Sequence, residues 1–245
     1  MPPRPYVFFD VDDTLVQWHA DWAAIFAQVA AEAGAPVTRE QAYQALWDAF
    51  TTLYPECISA HARRGEASPD RVHEFWMDYD GQILASLGVT RDLPRRTARV
   101  IDLLTRPDAF QLYPEAIRVL DALRAGGVPL GIVTGRPVAL PDLSRLGIHH
   151  YFHPVIDAFA ARSAKSDGRM FRLAAEVAAS HGLVAWHIGD SYDDDVLGAR
   201  AAGLRPILVD RNGRHPHADC PRVADLSPLP ALLLDGAHTI PESQS

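Results

Sequence analysis

Four short stretches of the chain hold the side chains best suited to covalent chemistry. FFDVDDTL places Asp10 and Asp12 two residues apart after an apolar run. In extended backbone, residues two apart share a face, so both carboxylates can reach one site. Thr134-Gly135-Arg136 follows a second apolar run and offers a hydroxyl beside a flexible turn with exposed backbone N–H groups. Lys165 is the only lysine in the chain, although lysine is ordinarily among the commonest residues. The fourth stretch, Gly189-Asp190-Ser191-Tyr192-Asp193-Asp194-Asp195, supplies further acids. Carboxylates packed together raise each other's pKa unless a cation joins them. A hard divalent ion meets that need. Mg²⁺ typically takes one or two carboxylates together with waters and phosphate oxygens, and Asp10 and Asp190 are its natural protein ligands here. With a phosphate monoester bound, Asp10 can attack phosphorus as a carboxylate nucleophile. Asp12 can protonate the leaving oxygen and then activate the hydrolytic water. Lys165 offsets the phosphoryl charge, and Thr134 with neighbouring amides orients its oxygens.

These residues need strand ends to bring them together. Tyr6–Phe9 is short, aromatic and continuous, as a buried strand should be. A long helical stretch follows. Trp22, Ile25, Phe26, Val29 and Ala33 keep helical spacing before Gly34, and Thr38 with Gln41 has the form of a capping box opening a helix that carries Tyr43, Leu46, Trp47, Phe50 and Leu53. Ser68-Pro69 opens a third helix reaching Leu87, and a fourth runs from about Leu93 to Leu104. From Phe110 onward strand and helix signals alternate. Strands are predicted at Pro129–Thr134, Pro154–Asp157, Ala185–Asp190 and Arg205–Val209, with helices between them. Alternation of this kind predicts an α/β fold, a doubly wound parallel sheet in which ligands bind at the carboxyl ends of the strands. The expected organisation is an α/β core of residues 1–15 and 111–237, an all-helical insertion of 16–110 after the first strand, and a frayed tail of 238–245.

Composition narrows the class. The chain has 245 residues, 48% of them hydrophobic and 22% charged, which suits a globular protein with a full core. A net charge of −8 argues against broad binding to nucleic acid or an anionic membrane. No apolar run approaches the roughly 18–20 residues of a membrane-spanning helix. The first residues turn acidic too soon for a signal peptide, and Cys57 and Cys220 are too few and too far apart for a disulfide scaffold. The expected location is the cytoplasm, and the expected partner is a small phosphorylated metabolite.

FFDVDDTL, IVTG, the lysine of SAKSDGRMF and HIGDSYDDDVLGARAAG together resemble the haloacid dehalogenase-like hydrolase superfamily. All four motifs occur in order, each after a predicted strand, and the resemblance spans roughly Tyr6–Gly213. It implies a Rossmann-like core with a C1-type helical cap and Mg²⁺ as cofactor. Asp10 would be nucleophile and metal ligand. Asp12 would be the general acid/base and would give its backbone carbonyl to the metal. Thr134 and Lys165 would bind the phosphoryl group, and Asp190 would complete the metal set. Either Asp195 or Asp194 would orient metal-bound water and Lys165. Asp13 departs from the glycine common at its position, and Gly135 from a common asparagine. Dehalogenases of the superfamily lack an acid at the second motif position, because halide leaves without a proton. Asp12 therefore points to phosphate esters. A phosphomutase, a dehalogenase-type hydrolase and a receiver-like or non-catalytic phospho-binding module are the competing readings.

Other residues carry two readings each. Trp18 and His19, just past the first motif, either line the substrate pocket or pack at the hinge of the insertion. Arg136 reads as the partner of a surface acid. The aromatics Trp22, Trp47, Phe75 and Trp76 sit at helical spacing and are expected in the core of the insertion.

Overall fold

The computed structural model describes residues 4–64, 68–106, 108–137 and 140–234. The tail expected at 238–245 lies outside them. The central sheet has six parallel strands: β1 (Pro5–Phe9), β4 (Leu130–Val133), β5 (Phe152–Ile156), β6 (Val184–Gly189), β7 (Arg205–Val209) and β8 (Arg222–Val223). Their spatial order is β5-β4-β1-β6-β7-β8. The doubly wound α/β reading is therefore correct. All of β1, PYVFF, is buried, because helices cover both faces of the sheet. On one face Tyr6 and Phe8 pack with Phe171, Ala174 and Ala178 of α9 (Arg169–Ser180) and with Ala199 of α10 (Gly198–Ala201). On the other, Val7 and Phe9 join Leu120 and Leu123 of α6 (Ala116–Ala125) and Leu229 and Leu233 of α11 (Leu229–Leu234). Short helices α7 (Leu140–Arg145) and α8 (Ala158–Ala161) follow β4 and β5.

The chain order places the ligand site. After β1 the strands are laid outward on one side as β4 and β5, and then on the other as β6, β7 and β8. β1 is thus the topological switch point, where a crevice opens beyond the strand ends. Phe9 pairs in register with Ile132 of β4 and Ile188 of β6. The residues following these three strands, Asp10, Thr134 and Asp190, consequently emerge side by side.

The insertion after β1 is entered and left through two short strands the sequence pattern did not reveal. β2 (Val16–Trp18) and β3 (Phe110–Leu112) pair antiparallel, Val16 opposite Leu112 and Trp18 opposite Phe110. At three residues each they are too short for a period-two signal. Between them lie α1 (Trp22–Glu32), α2 (Arg39–Asp48), α3 (Tyr54–Ala62), α4 (Pro69–Ser86) and α5 (Leu93–Leu104). The helix starts predicted at Thr38 and Ser68 are formed: Thr38 and Gln41 close a capping box, and Ser68 accepts from the Arg71 N–H; Asp21 likewise caps α1, accepting from the Ala24 N–H. Phe26, Ile58, Phe75, Ile83 and Val100 make the core of this helical layer.

The helix expected to end near Leu53 instead continues through a π-helical turn, Ala49–Leu53, into α3. Two features explain the widened turn. Pro55 has no N–H to give the preceding turn. The hydroxyls of Thr51 and Thr52 bond back to the carbonyls of Trp47 and Asp48, competing with the backbone ladder. Among the described residues no helix is long and apolar enough to cross a membrane.

One buried acid in the insertion is unrelated to the strand ends. Asp80 on α4 is buried, and its Oδ1 has no hydrogen-bond partner among the described residues. Burial raises its pKa to about 8. An unfolded aspartate titrates near 3.9, so between about pH 4 and pH 8 the native state holds a proton that the unfolded chain lacks. Stability from this group is therefore greatest at low pH and falls as pH rises to about 8, by at most about 1.4 kcal/mol per unit. Melting curves between pH 5 and pH 8 should show Asp80→Asn with a shallower decline of Tm than the parent; parallel declines would remove Asp80 as the source.

Candidate active site

The site is organised around one ammonium. Lys165 Nζ lies 2.7 Å from Asp10 Oδ1 and 2.5 Å from Asp195 Oδ1. It comes from a short turn after α8, while Asp10 follows β1 and Asp195 lies on the π-helical segment Tyr192–Leu197 after β6. That segment starts at Ser191, whose hydroxyl accepts from the Asp194 N–H. The Ser191 N–H in turn donates to Asp195 Oδ2 at 3.0 Å. His187, buried in β6, places Nε2 2.6 Å from Asp195 Oδ1. Asp195 is thus held from three sides, which selects it over Asp194 as the acid beside Lys165. Asp194 lines the cavity without touching Lys165 through a hydrogen bond or ion pair.

Close approach of Asp195 to the sheet depends on Gly189. A methyl group there would lie 2.1 Å from Asp195 Cγ. Asp190, one residue on, accepts a hydrogen bond from the Thr14 hydroxyl at 3.3 Å. Oxygens of Asp10, Asp190 and Asp195 all lie within 4.8 Å of one another. These are hard oxygen donors, and the group carries more carboxylates than the Lys165 ammonium can neutralise, so it fits a divalent cation such as Mg²⁺. The side chain of Asp12 stands apart from this group. Its Oδ1 accepts from the Trp18 indole N–H at 3.0 Å, and its Oδ2 forms an ion pair with Arg136 Nε at 3.1 Å.

The protonation energetics follow from this packing. Burial pushes the Asp10 pKa well above the usual carboxylate range; Lys165 opposes the rise, while Asp195, Asp190 and Asp12 add to it. Burial, with the charges of Asp195 and Asp13, raises Asp190 to about 7. Burial also works against the Asp195 carboxylate, but Lys165 and His187 outweigh it and hold it below its ordinary value. Burial lowers the His187 pKa, favouring a neutral ring that donates from Nε2 to Asp195. Lys165 is held above its ordinary value because its two carboxylate partners overcome desolvation.

Thr134 is buried at the end of β4 and lines the same cavity as Asp10, Asp12, Gly135, Lys165 and Asp190. That cavity has a volume of about 980 Å³. Asp13 has φ +55°, a left-handed conformation that favours glycine and that aspartate tolerates. His19 is exposed on the cavity wall. Trp18 packs against Trp22 and Phe110 where the insertion joins the core, with only its N–H directed at Asp12. Two expectations need correction. Arg136 pairs with Asp12 inside the cleft, not with a surface acid. Trp47 is not core: it is 53% exposed, whereas Phe75 is fully buried. Sequence reasoning missed His187, although a lone imidazole in an otherwise apolar strand was a visible signal. It also missed Tyr54, whose hydroxyl donates to the Gly135 carbonyl at 2.7 Å and ties the helical insertion to the loop after β4. Nothing local in the sequence marks that contact.

The profile of haloacid dehalogenase-like hydrolases matches residues 6–203, a span containing every group just described. The chain belongs to this family. Among curated relatives of this hydrolase, the haloacid dehalogenase-like hydrolase domain-containing protein 3 of Bos taurus is 29% identical over 95% of the chain and 91% of its own length. A phosphoglycolate phosphatase of Cereibacter sphaeroides is 30% identical over 86% of the chain and 87% of its own. Among solved structures, a 2-haloacid dehalogenase of Pseudomonas syringae pv. Tomato superposes with a TM-score of 0.66 at 25% identity, covering 95% of this chain and 99% of that one. The helices following β1 are consistent with a C1-type cap in this hydrolase.

The approach of Asp195 to Gly189 makes a direct forecast. Gly189→Ala should overpack the strand end and cost about 1–3 kcal/mol of stability, read as a lower Tm in thermal denaturation. An unchanged Tm would show that the strand end can open without loss.

Proposed function

We propose that this hydrolase is a Mg²⁺-dependent phosphatase that cleaves a small phosphate monoester through an aspartyl-phosphate on Asp10. The observation that carries this reading is a second acid: Asp12 lines the same cavity as Asp10, oriented by the Trp18 N–H and Arg136. A halide leaves without a proton, whereas an alkoxide needs one, so a paired acid suits an ester. The similarity to a phosphoglycolate phosphatase supports the same reaction class. In this reading residues 16–110 form the cap, and residues 1–15 with 111–237 form the catalytic core.

The roles follow from position. Asp10 attacks phosphorus while Lys165 holds its carboxylate and balances charge on the phosphoryl oxygens. Thr134 and the Gly135 amide orient those oxygens. Asp12 gives its proton to the leaving oxygen, then takes one from the water that hydrolyses the acyl phosphate. Asp10 and Asp190, with the Asp12 backbone carbonyl, would hold Mg²⁺, which when bound neutralises phosphoryl charge. Asp195 keeps Lys165 in place, backed by His187. Closure of the helical layer over the cleft excludes bulk water while Asp10 attacks phosphorus.

Phosphate release from a panel of monoesters should require Mg²⁺ and stop with EDTA. Asp10→Asn should lower it by at least about 10³-fold, and Asp12→Asn by about 10²–10⁴-fold. Turnover that survives Asp10→Asn, or metal-independent halide release from a 2-haloacid, would overturn the assignment.

A further inference from the structure

Part of the cavity wall is made of rings. Tyr43 and Trp47 lie one turn apart on α2, and Phe50 is the next ring along, on the π-helical turn. They are 56%, 53% and 52% exposed, and all three line the cavity. Half of the exposed large hydrophobic side chains among the described residues are these three. Trp47, Phe50 and Tyr54 form a continuous strip: ring centroids lie 6.4 Å apart for Trp47–Phe50 and 5.8 Å apart for Phe50–Tyr54. The strip ends where the Tyr54 hydroxyl meets the Gly135 carbonyl, one residue from Thr134. An exposed aromatic strip that begins beside the phosphoryl site and runs outward is placed to meet the part of the substrate that leaves.

The charges on the lining point the same way. Lys165 is engaged by Asp10 and Asp195, Arg136 by Asp12, and Arg39 by Asp21 at 2.7 Å. Among the described lining residues no arginine or lysine is left without an acidic partner, and His19 is the remaining basic side chain. A leaving group bearing a carboxylate would add an anion to a cavity already holding the Asp10, Asp12, Asp190 and Asp195 side chains. Recognition of such a group ordinarily uses a paired arginine fork or a lysine. A cavity of about 980 Å³ is also far larger than a two- or three-carbon acid requires. Rings gain from stacking on rings and need no counter-charge.

We propose that the alcohol released by this enzyme carries an uncharged aromatic or heteroaromatic ring, which lies against Trp47 and Phe50 while the phosphoryl group occupies the Asp10–Lys165 end. This deepens the phosphatase reading and rests on it.

The test compares matched esters with Mg²⁺: benzyl phosphate against ethyl phosphate, and a nucleoside 5′-monophosphate against ribose 5-phosphate, with 2-phosphoglycolate and phosphoserine as carboxylated esters. The ring-bearing member of each pair should have at least a tenfold higher kcat/KM, the scale of a single stacking contact. Trp47→Ala and Phe50→Ala should each reduce that ratio about five- to tenfold, and Trp47→Phe should retain most of it. Both side chains are exposed, so neither change removes core. Preference for a carboxylated ester, or an equal loss for both members of a pair, would overturn the proposal. If no ester is turned over, the phosphatase reading itself fails. The aromatic wall is then judged by binding to Asp10→Asn: tighter binding of benzyl than of ethyl phosphate supports it, and equal binding overturns it. A dimer that dissociates in Trp47→Ala with no change in ester selectivity would assign the strip to a second copy of the chain and overturn the proposal.

Discussion

The buried Lys165 ammonium between Asp10 and Asp195 is the contact on which the rest of the site depends. Taking these three charges out of water is costly, and the geometry must be good for their attraction to repay it. The fold supplies that geometry from three separate elements: the end of β1, the turn after α8 and the π-helical segment after β6. Removing one member of such a group leaves a buried charge without a partner, typically a loss of about 3–5 kcal/mol. The same contact orients Asp10, keeps the ammonium in the cavity and ties the two halves of the sheet together across the switch point.

Around this centre, side chains outside the ion cluster set direction. His187 and the Ser191 N–H hold Asp195, Gly189 lets it approach the strand, and Thr14 holds Asp190. Trp18 and Arg136 hold Asp12, with the guanidinium 5.3 Å from the centre of the indole ring. Trp18 belongs to β2, the strand that begins the insertion, and packs on Phe110 of β3, the strand that ends it. Asp12 is therefore held in part by the junction where the helical insertion joins the core. Tyr54 and Gly135 make a second link, between the helical layer and the loop after β4, and Phe75 packs edge-on against Phe159 of α8. The helical insertion and the residues lining the cavity are in direct contact at these points.

Much of the architecture was legible before any coordinates. The predicted helix over about Leu93–Leu104 and strand over Arg205–Val209 match the observed elements: the helix buries one face through Val100, Leu103 and Leu104, and the strand follows the turn at Gly203. The strand ends carrying Asp10, Thr134 and Asp190 were identifiable because alternating strands and helices imply a parallel sheet whose loops carry function at one end. The short strands β2 and β3 were not legible, since three residues carry no period. Nor was the π-turn at Ala49–Leu53, since Thr51 and Thr52 with Pro55 just beyond also fit an ordinary helix break.

Residue types and order determined which groups were available: a carboxylate pair after the first strand, a hydroxyl after the next central one, a single lysine and an acidic run. They also determined that α/β alternation would bring these groups to one end of a sheet. Tertiary structure decided the assignments among them. Asp195 and Asp194 are neighbours in sequence and both line the cavity, but only Asp195 is ion-paired with Lys165. Trp47 and Phe75 share helical spacing and chemistry, yet one is exposed on the cavity wall and the other is core. Spacing states which residues share a face. Which face meets solvent, a neighbouring layer or a cavity depends on packing against elements far away in the chain, and no local pattern records that.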